Sequence, residues 1–249
     1  MVSDSDGVRT VTFNRPEARN AFNRALYEAV TGALLDSLSD DDVRVVVLTG
    51  AGPAFSAGQD LKEMAAMASG NAGPEAAIGF RGFMDALCEF DKPLLAAVNG
   101  VGVGLGFTML AHCDMVIVSD EARLRVPFAA LGVPAEAGSS LLFPVRMGAQ
   151  RAAEVLFTGC WVSAEEAVDA GIALRRVAPE LLMGETMSLA RSVAEGSPDA
   201  LRAIKRLMLA SQAPLVAAAR AREDKAFAEL LGSATNTAAM SRFESTGRL

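Results

Sequence analysis

Leu94 to Asp114 reads LLAAVNGVGVGLGFTMLAHCD, and the fold turns on how this stretch is read. Leu94 to Val98 is an apolar run of strand length, closed by the turn pair Asn99-Gly100. Glycine then stands at every second position, at Gly100, Gly102, Gly104 and Gly106, ahead of an apolar run of helix length. Such glycines let a backbone approach another group closely or adopt positive φ. A helix opening at Leu105 leaves its first amides unpaired at the positive end of its dipole, where an oxyanion can be held. A tight strand-to-helix connection packed on a neighbour is the plainer alternative. The dinucleotide fingerprint G-x-G-x-x-G is excluded by spacing, because Leu105 and Phe107 occupy the third-glycine positions of the two possible registers. The P-loop pattern is absent as well.

Working outward, 249 residues make one large domain, or one domain with a helical appendage, and 51% hydrophobic residues supply a sizeable core. A formal charge of −7 argues against a broad nucleic-acid surface. Cys88, Cys113 and Cys160 are scattered, and His112 is the single histidine, so no Cys/His metal set is expected. The odd, dispersed cysteines fit a reducing cytosol, and the acidic start MVSDSDG carries no visible signal peptide. The most apolar window is the opening stretch itself, whose glycines and Asn99 make it a poor membrane span. These features read as a cytoplasmic protein with neither a nucleic-acid nor a membrane partner.

Upstream, Val8–Phe13 (VRTVTF) is a strand broken by Asn14-Arg15-Pro16, and residues 22–38 carry helical periodicity through Phe22, Leu26, Val30 and Leu34. Residues 44–49 (RVVVLT) form the near-continuous β-branched run of a strand buried on both faces. Gly50 to Gly58 reads as a loop and Leu61 to Ala68 as a short helix. Ala68 to Ala77 (ASGNAGPEAA) reads as a mobile loop, either a lid over a site or a slack surface connection. Residues 80–90 return to helix, and residues 115–118 and 123–126 are strands. Strands alternating with helices across crossover-length connections imply parallel pairing and an α/β fold. Beyond Ser139 the pattern is helical. Ser163-Ala-Glu-Glu166 is a capping box, Gly171 ends that helix, and Ser197-Pro198 marks another N-terminus. Residues 200–210 and 215–231 are helical, a tail suited to packing on its own core or on a neighbouring subunit.

Two loops are candidates for close backbone approach, residues 54–62 (AFSAGQDLK) and the glycine run. Both follow buried strands, so both emerge at the carboxyl edge of a parallel sheet, where α/β proteins place ligands. Two amides converging on one carbonyl oxygen would form an oxyanion hole, a device that needs no reactive side chain.

At this point NRPEARNAF (14–22), FSAGQDLKEM (55–64) and AAVNGVGVGLGFTMLAHCDMVI (96–117) resemble, in order and spacing, the signature segments of the crotonase superfamily, the enoyl-CoA hydratase/isomerase family. PFAALGVPAEAGSS (127–140) and residues 152–159 extend the likeness over nearly the whole chain. The resemblance implies a spiral of ββα units over residues 1–195 and a C-terminal helical oligomerisation region over residues 196–249. It implies a homotrimer or dimer of trimers that binds acyl-CoA thioesters, with coenzyme A entering as part of the substrate and no tightly bound cofactor or metal. The hole amides carried over by position are those of Gln59 and Leu105. A donor aimed at developing oxyanion charge is worth about 2.7–4 kcal/mol. Ala18, Arg19 and Ala21, with Gly58, Asp60, Leu61 and Lys62, would line the coenzyme A path, while Gly104, Thr108, Phe128 and Leu131 would face substrate.

Hydratases of this family use two glutamates, and at those positions this sequence has Thr108 and Phe128, neither of which is a general base near neutral pH. One carboxylate remains. The segment 127–140 is similar to that of peroxisomal-type 3-enoyl-CoA isomerases, and Glu136 falls in register with their glutamate, counted from Gly132 and from Ser139. This chain has Pro-Ala-Glu where those enzymes usually have Pro-Glu. The resemblance therefore implies a 3-enoyl-CoA to 2-enoyl-CoA isomerase with Glu136 as its base. Hydration, another family reaction, and non-catalytic acyl-CoA binding are the alternatives. Asp60 and Glu63 read as helix-start charges, Asp114 and His112 as structural, and Lys225, Arg242 and Phe243 as loose candidates for holding the coenzyme phosphate.

Overall fold

The computed structural model describes residues 1–68 and 75–246. Its strands are β1 (Val2–Ser5), β2 (Val8–Phe13), β3 (Val45–Gly50), β4 (Ala54–Ser56), β5 (Leu94–Val98), β6 (Val101–Val103), β7 (Met115–Ser119), β8 (Arg123–Arg125), β9 (Val162–Ser163) and β10 (Arg175–Val177). Helices α1 (Arg24–Ser39), α2 (Leu61–Ala68), α3 (Glu75–Glu89), α4 (Leu105–Thr108) and α5 (Phe128–Leu131) intervene. Helices α6 (Ser139–Met147), α7 (Ala149–Thr158), α8 (Ala164–Asp169), α9 (Leu182–Ala194), α10 (Pro198–Leu209), α11 (Ala213–Leu230) and α12 (Ala234–Thr246) dominate the second half.

The larger sheet runs β1-β2-β3-β5-β7-β10, parallel throughout except for edge strand β1; the smaller runs β4-β6-β8-β9. Strands β3, β5 and β7 belong to the larger sheet, and β4, β6 and β8, each the next strand in the chain, to the smaller. Helices α2, α4 and α5 follow the three pairs in turn. This is the repeated ββα turn. The RVVVLT run is buried on both faces as expected. Val46 and Leu48 join the main core with α1 and α3, and Val45 and Val47 pack with Leu182, Ala190 and Ala194 of α9.

Several expectations are corrected. The presumed loops at 50–58 and 100–104 contain β4 and β6, strands too short to show alternation. The apolar run after Leu105 is one turn of α-helix continued as 3₁₀-helix over Met109–His112. Helix α1 opens at Arg24, where the Asn23 side chain accepts the Leu26 amide. The capping box at Ser163 and Glu166 forms, whereas Ser197 makes no side-chain cap at α10. Strand β1 was not expected, nor were β9 and β10 in a stretch read as helical, whereas α12 falls within the expected helical tail. Of the supposed mobile loop, residues 69–74 lie outside the described residues and residues 75–77 open α3. Among the described residues, no helix is long and apolar enough to cross a membrane.

Two buried or half-buried asparagines hold the connection between the sheets. Asn20 Nδ2 donates to the carbonyls of Ala51 and Ala54, while its Oδ1 accepts the Arg15 amide. Asn99 accepts the Gly50 amide and donates to the Gly52 carbonyl. The Asn99 that reads as a turn signal is therefore also a cross-link.

Candidate active site

The small sheet explains how distant segments meet. Because β4, β6 and β8 are parallel neighbours, their carboxyl ends lie side by side. They deliver, in order, the Ala57–Gln59 loop, the Gly104–Leu105 helix start and the Pro127–Leu131 segment. The Gly104 amide donates to the Arg125 carbonyl across the second and third of these. Gly104 has φ 54° and ψ −121°, a conformation for glycine, and turns the chain so that α4 begins at Leu105. Gly58 has φ +83°, and a Cβ there would collide with the Val103 carbonyl and sit 3.3 Å from the Leu105 nitrogen. The two loops thus touch at the backbone.

Residues 18–22 reinforce the first loop. Ala57 N–H donates to the Arg19 carbonyl, Phe22 N–H to the Gly58 carbonyl and Asp60 N–H to the Phe22 carbonyl. The N–H of Gln59, between these bonds, and the N–H of Leu105, ahead of the first helical bond, have no hydrogen-bond acceptor among the described residues. Both residues line one small cavity of about 40 Å³ together with Leu61, Gly104, Phe128, Leu131 and Glu136. Among its described lining residues, Glu136 is the single acid–base side chain.

Glu136 also lines an adjoining cavity of about 210 Å³, walled by Met64, Met67, Phe80, Phe227 and Leu231 with the Arg81–Asp224 ion pair at 3.8 Å. No hydrogen-bond donor reaches the Glu136 carboxylate among the described residues; its backbone carbonyl accepts both the amide and the hydroxyl of Ser139. Burial, and then the neighbouring Glu223 carboxylate, push the Glu136 pKa up to about 8. Part of its surface remains open, on the side of the two cavities it lines.

The turn after Glu136 is unusual. Ala137 and Gly138 are both left-handed, at φ 58° and 74°. Two groups hold them, a half-buried histidine and a buried glutamate. His112 Nε2 lies 2.7 Å from the Ala137 carbonyl oxygen. A carbonyl only accepts, so that nitrogen carries the hydrogen and Nδ1 faces Cys88 Sγ at 3.8 Å. Burial pushes the His112 pKa down to about 4, keeping the ring neutral. Its structural reading stands. From the other side Glu223 on α11 accepts the amides of Gly138 and Ser140.

The remaining candidates fall elsewhere. Thr108 is fully buried, its Oγ1 without a partner among the described residues, and it does not line either cavity. Expected to face substrate, it is instead turned inward by α4. Ala18, Arg19, Ala21, Asp60 and Lys62 line neither cavity. Arg19 and Lys62 are exposed, and Asp60 pairs with Arg15 at 3.2 Å and caps α2 through the Lys62 amide. Glu63 caps α1 at the Arg24 amide, and Asp114 accepts the Leu94 amide and pairs with Lys205 at 2.8 Å, so these carboxylates are structural. Lys225 and Arg242 are exposed and Phe243 half-buried, all outside both cavities. The sequence reading missed the contributions of α11, Glu223 and Phe227. The only available signal was an acidic and an aromatic residue within a helical tail. It also missed the Tyr27 hydroxyl, which donates to Gln59 Oε1 at 2.6 Å.

Comparison with known proteins places this arrangement. Residues 3–248 match the family model described as enoyl-CoA hydratase/isomerase. The chain is 35% identical over 210 residues to enoyl-CoA delta isomerase 2 of Rattus norvegicus, an alignment covering 84% of this chain and 54% of that protein. It therefore spans about half the length of that relative. It is 32% identical over 231 residues to 2,3-dehydroadipyl-CoA hydratase of Escherichia coli (strain K12), covering 91% of this chain and 88% of the relative. Among solved structures, an enoyl-CoA hydratase/isomerase from Pseudoalteromonas atlantica T6c superposes with a TM-score of 0.91 at 38% identity, covering 98% of this chain and 96% of the other.

Proposed function

Since the chain belongs to the enoyl-CoA hydratase/isomerase family, with the ββα spiral of the crotonase superfamily, we propose that it moves the double bond of a 3-enoyl-CoA to the 2-position. The supporting observation is the small cavity, where two unpartnered backbone amides share a wall with a single acid–base side chain, Glu136.

In this reading the thioester carbonyl oxygen receives hydrogen bonds from the N–H groups of Gln59 and Leu105. Glu136, as carboxylate, takes the proton from C2, and the electron pair of that C–H bond delocalises through the carbonyl and the C3–C4 double bond as a dienolate. The protonated Glu136 returns the proton at C4, leaving the double bond between C2 and C3 and the carboxylate restored. Proton and electrons balance without a second reactant. Donors aimed at the developing oxyanion contribute about 2.7–4 kcal/mol each when lost singly, and an elevated carboxyl pKa matches the base to the weakly acidic C2 proton. The apolar walls of the larger cavity, Met64, Met67, Phe80 and Phe227, suit the acyl chain. The exposed Phe157, Leu207 and Met208, each at least 64% accessible, support burial in a homotrimer or a dimer of trimers.

Hydration of a 2-enoyl-CoA is the second reading, favoured by the presence of Glu223 beside Glu136 in the larger cavity. It is weakened because both Glu223 oxygens already accept backbone amides. The purified protein should be incubated with a 3-enoyl-CoA and the conjugated product followed, alongside Glu136→Gln and a parallel 2-enoyl-CoA hydration assay. Isomerisation that disappears in the variant, with negligible hydration, is the expected result. Hydration that survives the variant refutes the proposal, and acyl-CoA binding without turnover would identify a binding protein.

A further inference from the structure

The loop that carries Glu136 is held in a costly shape by a residue far away in sequence. Ala137 is a non-glycine residue at φ 58°, followed by Gly138 at φ 74°. Consecutive left-handed residues of this kind persist where their surroundings over-determine them, and they concentrate at functional turns. One anchor is the His112 ring on the Ala137 carbonyl. The other is stronger. Glu223, 6% accessible, puts Oε2 2.6 Å from the Gly138 nitrogen and Oε1 2.9 Å from the Ser140 nitrogen. Both carboxylate oxygens therefore act as acceptors at the start of α6, the arrangement of a charged capping group. Arg220 and Val216, one and two turns earlier on α11, pack against Gly138, so the same helix face that carries Glu223 also backs the turn. The same Glu223 lines the larger cavity together with Glu136.

We propose that Glu223 is a positioning residue for Glu136: its carboxylate clamps the Ala137–Gly138 turn and stands as a like group beside the base. This rests on the reading of Glu136 as the base. The clamp keeps the Glu136 side chain at the cavity wall shared with Gln59 and Leu105. The charge favours the protonated form of Glu136, and Glu223 is the one neighbour that acts on it beside burial itself. Other ionisable groups around the site are accounted for. Asp224 is turned to Arg81, the buried Tyr27 hydroxyl is given to Gln59, and Glu63 is given to the Arg24 amide.

The test is kinetic and uses the full chain. Glu136→Gln is measured first, and a variant that isomerises at the parental rate would refute the base assignment itself, independently of any Glu223 result. With that variant inactive, Glu223→Gln and Glu223→Asp are compared through kcat, KM and the pH profile. For Glu223→Gln the expectation is a loss of about tenfold or more in kcat with KM changed by less than about twofold. Its rising pH limb should move down by about one unit, because the like charge is gone. Glu223→Asp restores the charge and should return the limb to its parental position. A residue that only supports the fold would lower the melting temperature and leave the limb where it was, and that result overturns the proposal. If Glu223→Gln does not fold, Glu223→Asp carries the test. A lowered kcat on a parental limb supports the clamp, and an unchanged kcat or a displaced limb refutes it.

Discussion

Replacing Glu136 by glutamine should make the protein more stable and inactive at once, and the gain in stability should grow with pH. The unfolded chain ionises Glu136 at its ordinary 4.5, whereas burial and Glu223 raise the folded value to about 8. Between those values the folded state binds the extra proton, so the parental protein loses stability as pH rises through that window. Glutamine copies the neutral carboxyl and carries no such dependence. At about 1.4 kcal/mol for each pH unit of displacement, the advantage of Glu136→Gln is about 1 kcal/mol at pH 5 and about 3 kcal/mol at pH 7. Above pH 8 it is on the order of 5 kcal/mol, an upper bound because part of the side chain stays open to the cavities. Urea unfolding of both proteins at pH 5, 7 and 8.5, at one protein concentration to hold any assembly equilibrium constant, measures the difference directly. Titrations of groups not coupled to Glu136 are common to the pair and cancel. A difference that stays the same from pH 5 to 8.5 would refute the reasoning, because it would mean that the carboxyl ionises alike in the folded and unfolded states.

The same carboxyl sets the pH dependence of the proposed reaction: kcat/KM should rise with pH and level off near pH 8, where Glu136 becomes the free base, and a flat profile from pH 6 to 9 contradicts it. Gly58→Ala drives a methyl group into the Val103 carbonyl and so displaces the Leu105 amide. A fall in kcat of about 10²-fold with retained circular dichroism is expected, and near-parental turnover would show that this amide does not matter. Asn20→Ala removes a buried amide that serves the Arg15 amide and the Ala51 and Ala54 carbonyls. It should cost at least about 2 kcal/mol in denaturant unfolding, since each orphaned buried group costs about 1–3 kcal/mol.

The sequence was legible where burial imposes a period. The RVVVLT run buries both faces of β3 and the chain spells that out in successive β-branched residues. Helix α1 announces itself through the spacing of Leu26, Val30 and Leu34, and α8 through the Ser163–Glu166 box. Of the small sheet, β8 was legible as the strand over residues 123–126, but β4 and β6, with three residues each, were not, because no alternation can be counted in so few. Those two were readable only through the glycines that their close approaches demand. Among the candidate site residues, Gln59, Leu105 and Glu136 were picked out by register against the family segments, and the fold brings them to the wall of one cavity. Thr108 was misplaced because register gives a position along the chain but not the rotation of a four-residue helix. Glu223 was invisible for a different reason: its partner Gly138 lies 85 residues away, and no periodic pattern links a helical carboxylate to two distant backbone amides.

That division has a chemical consequence. In the proposed reading, an oxyanion hole made of backbone N–H groups would tolerate almost any side chain at Gln59 and Leu105, so it would point to a shared intermediate and leave the reaction open. The reaction is decided by how many acid–base groups reach the bound thioester and by their protonation. Adding water across a double bond requires a proton to be taken from water and one to be delivered to carbon, a task suited to two carboxyl groups in opposite states. Moving a double bond requires one group that takes a proton and gives the same proton back. With a pKa of about 8, Glu136 is ionised in about one molecule in ten at pH 7. That small fraction is offset by the stronger basicity of the carboxylate when it forms, and by the near match between its two forms. A carboxyl poised in this way, whose one carboxylate neighbour is already committed to two backbone amides, is better fitted to return a proton than to partner a second acid.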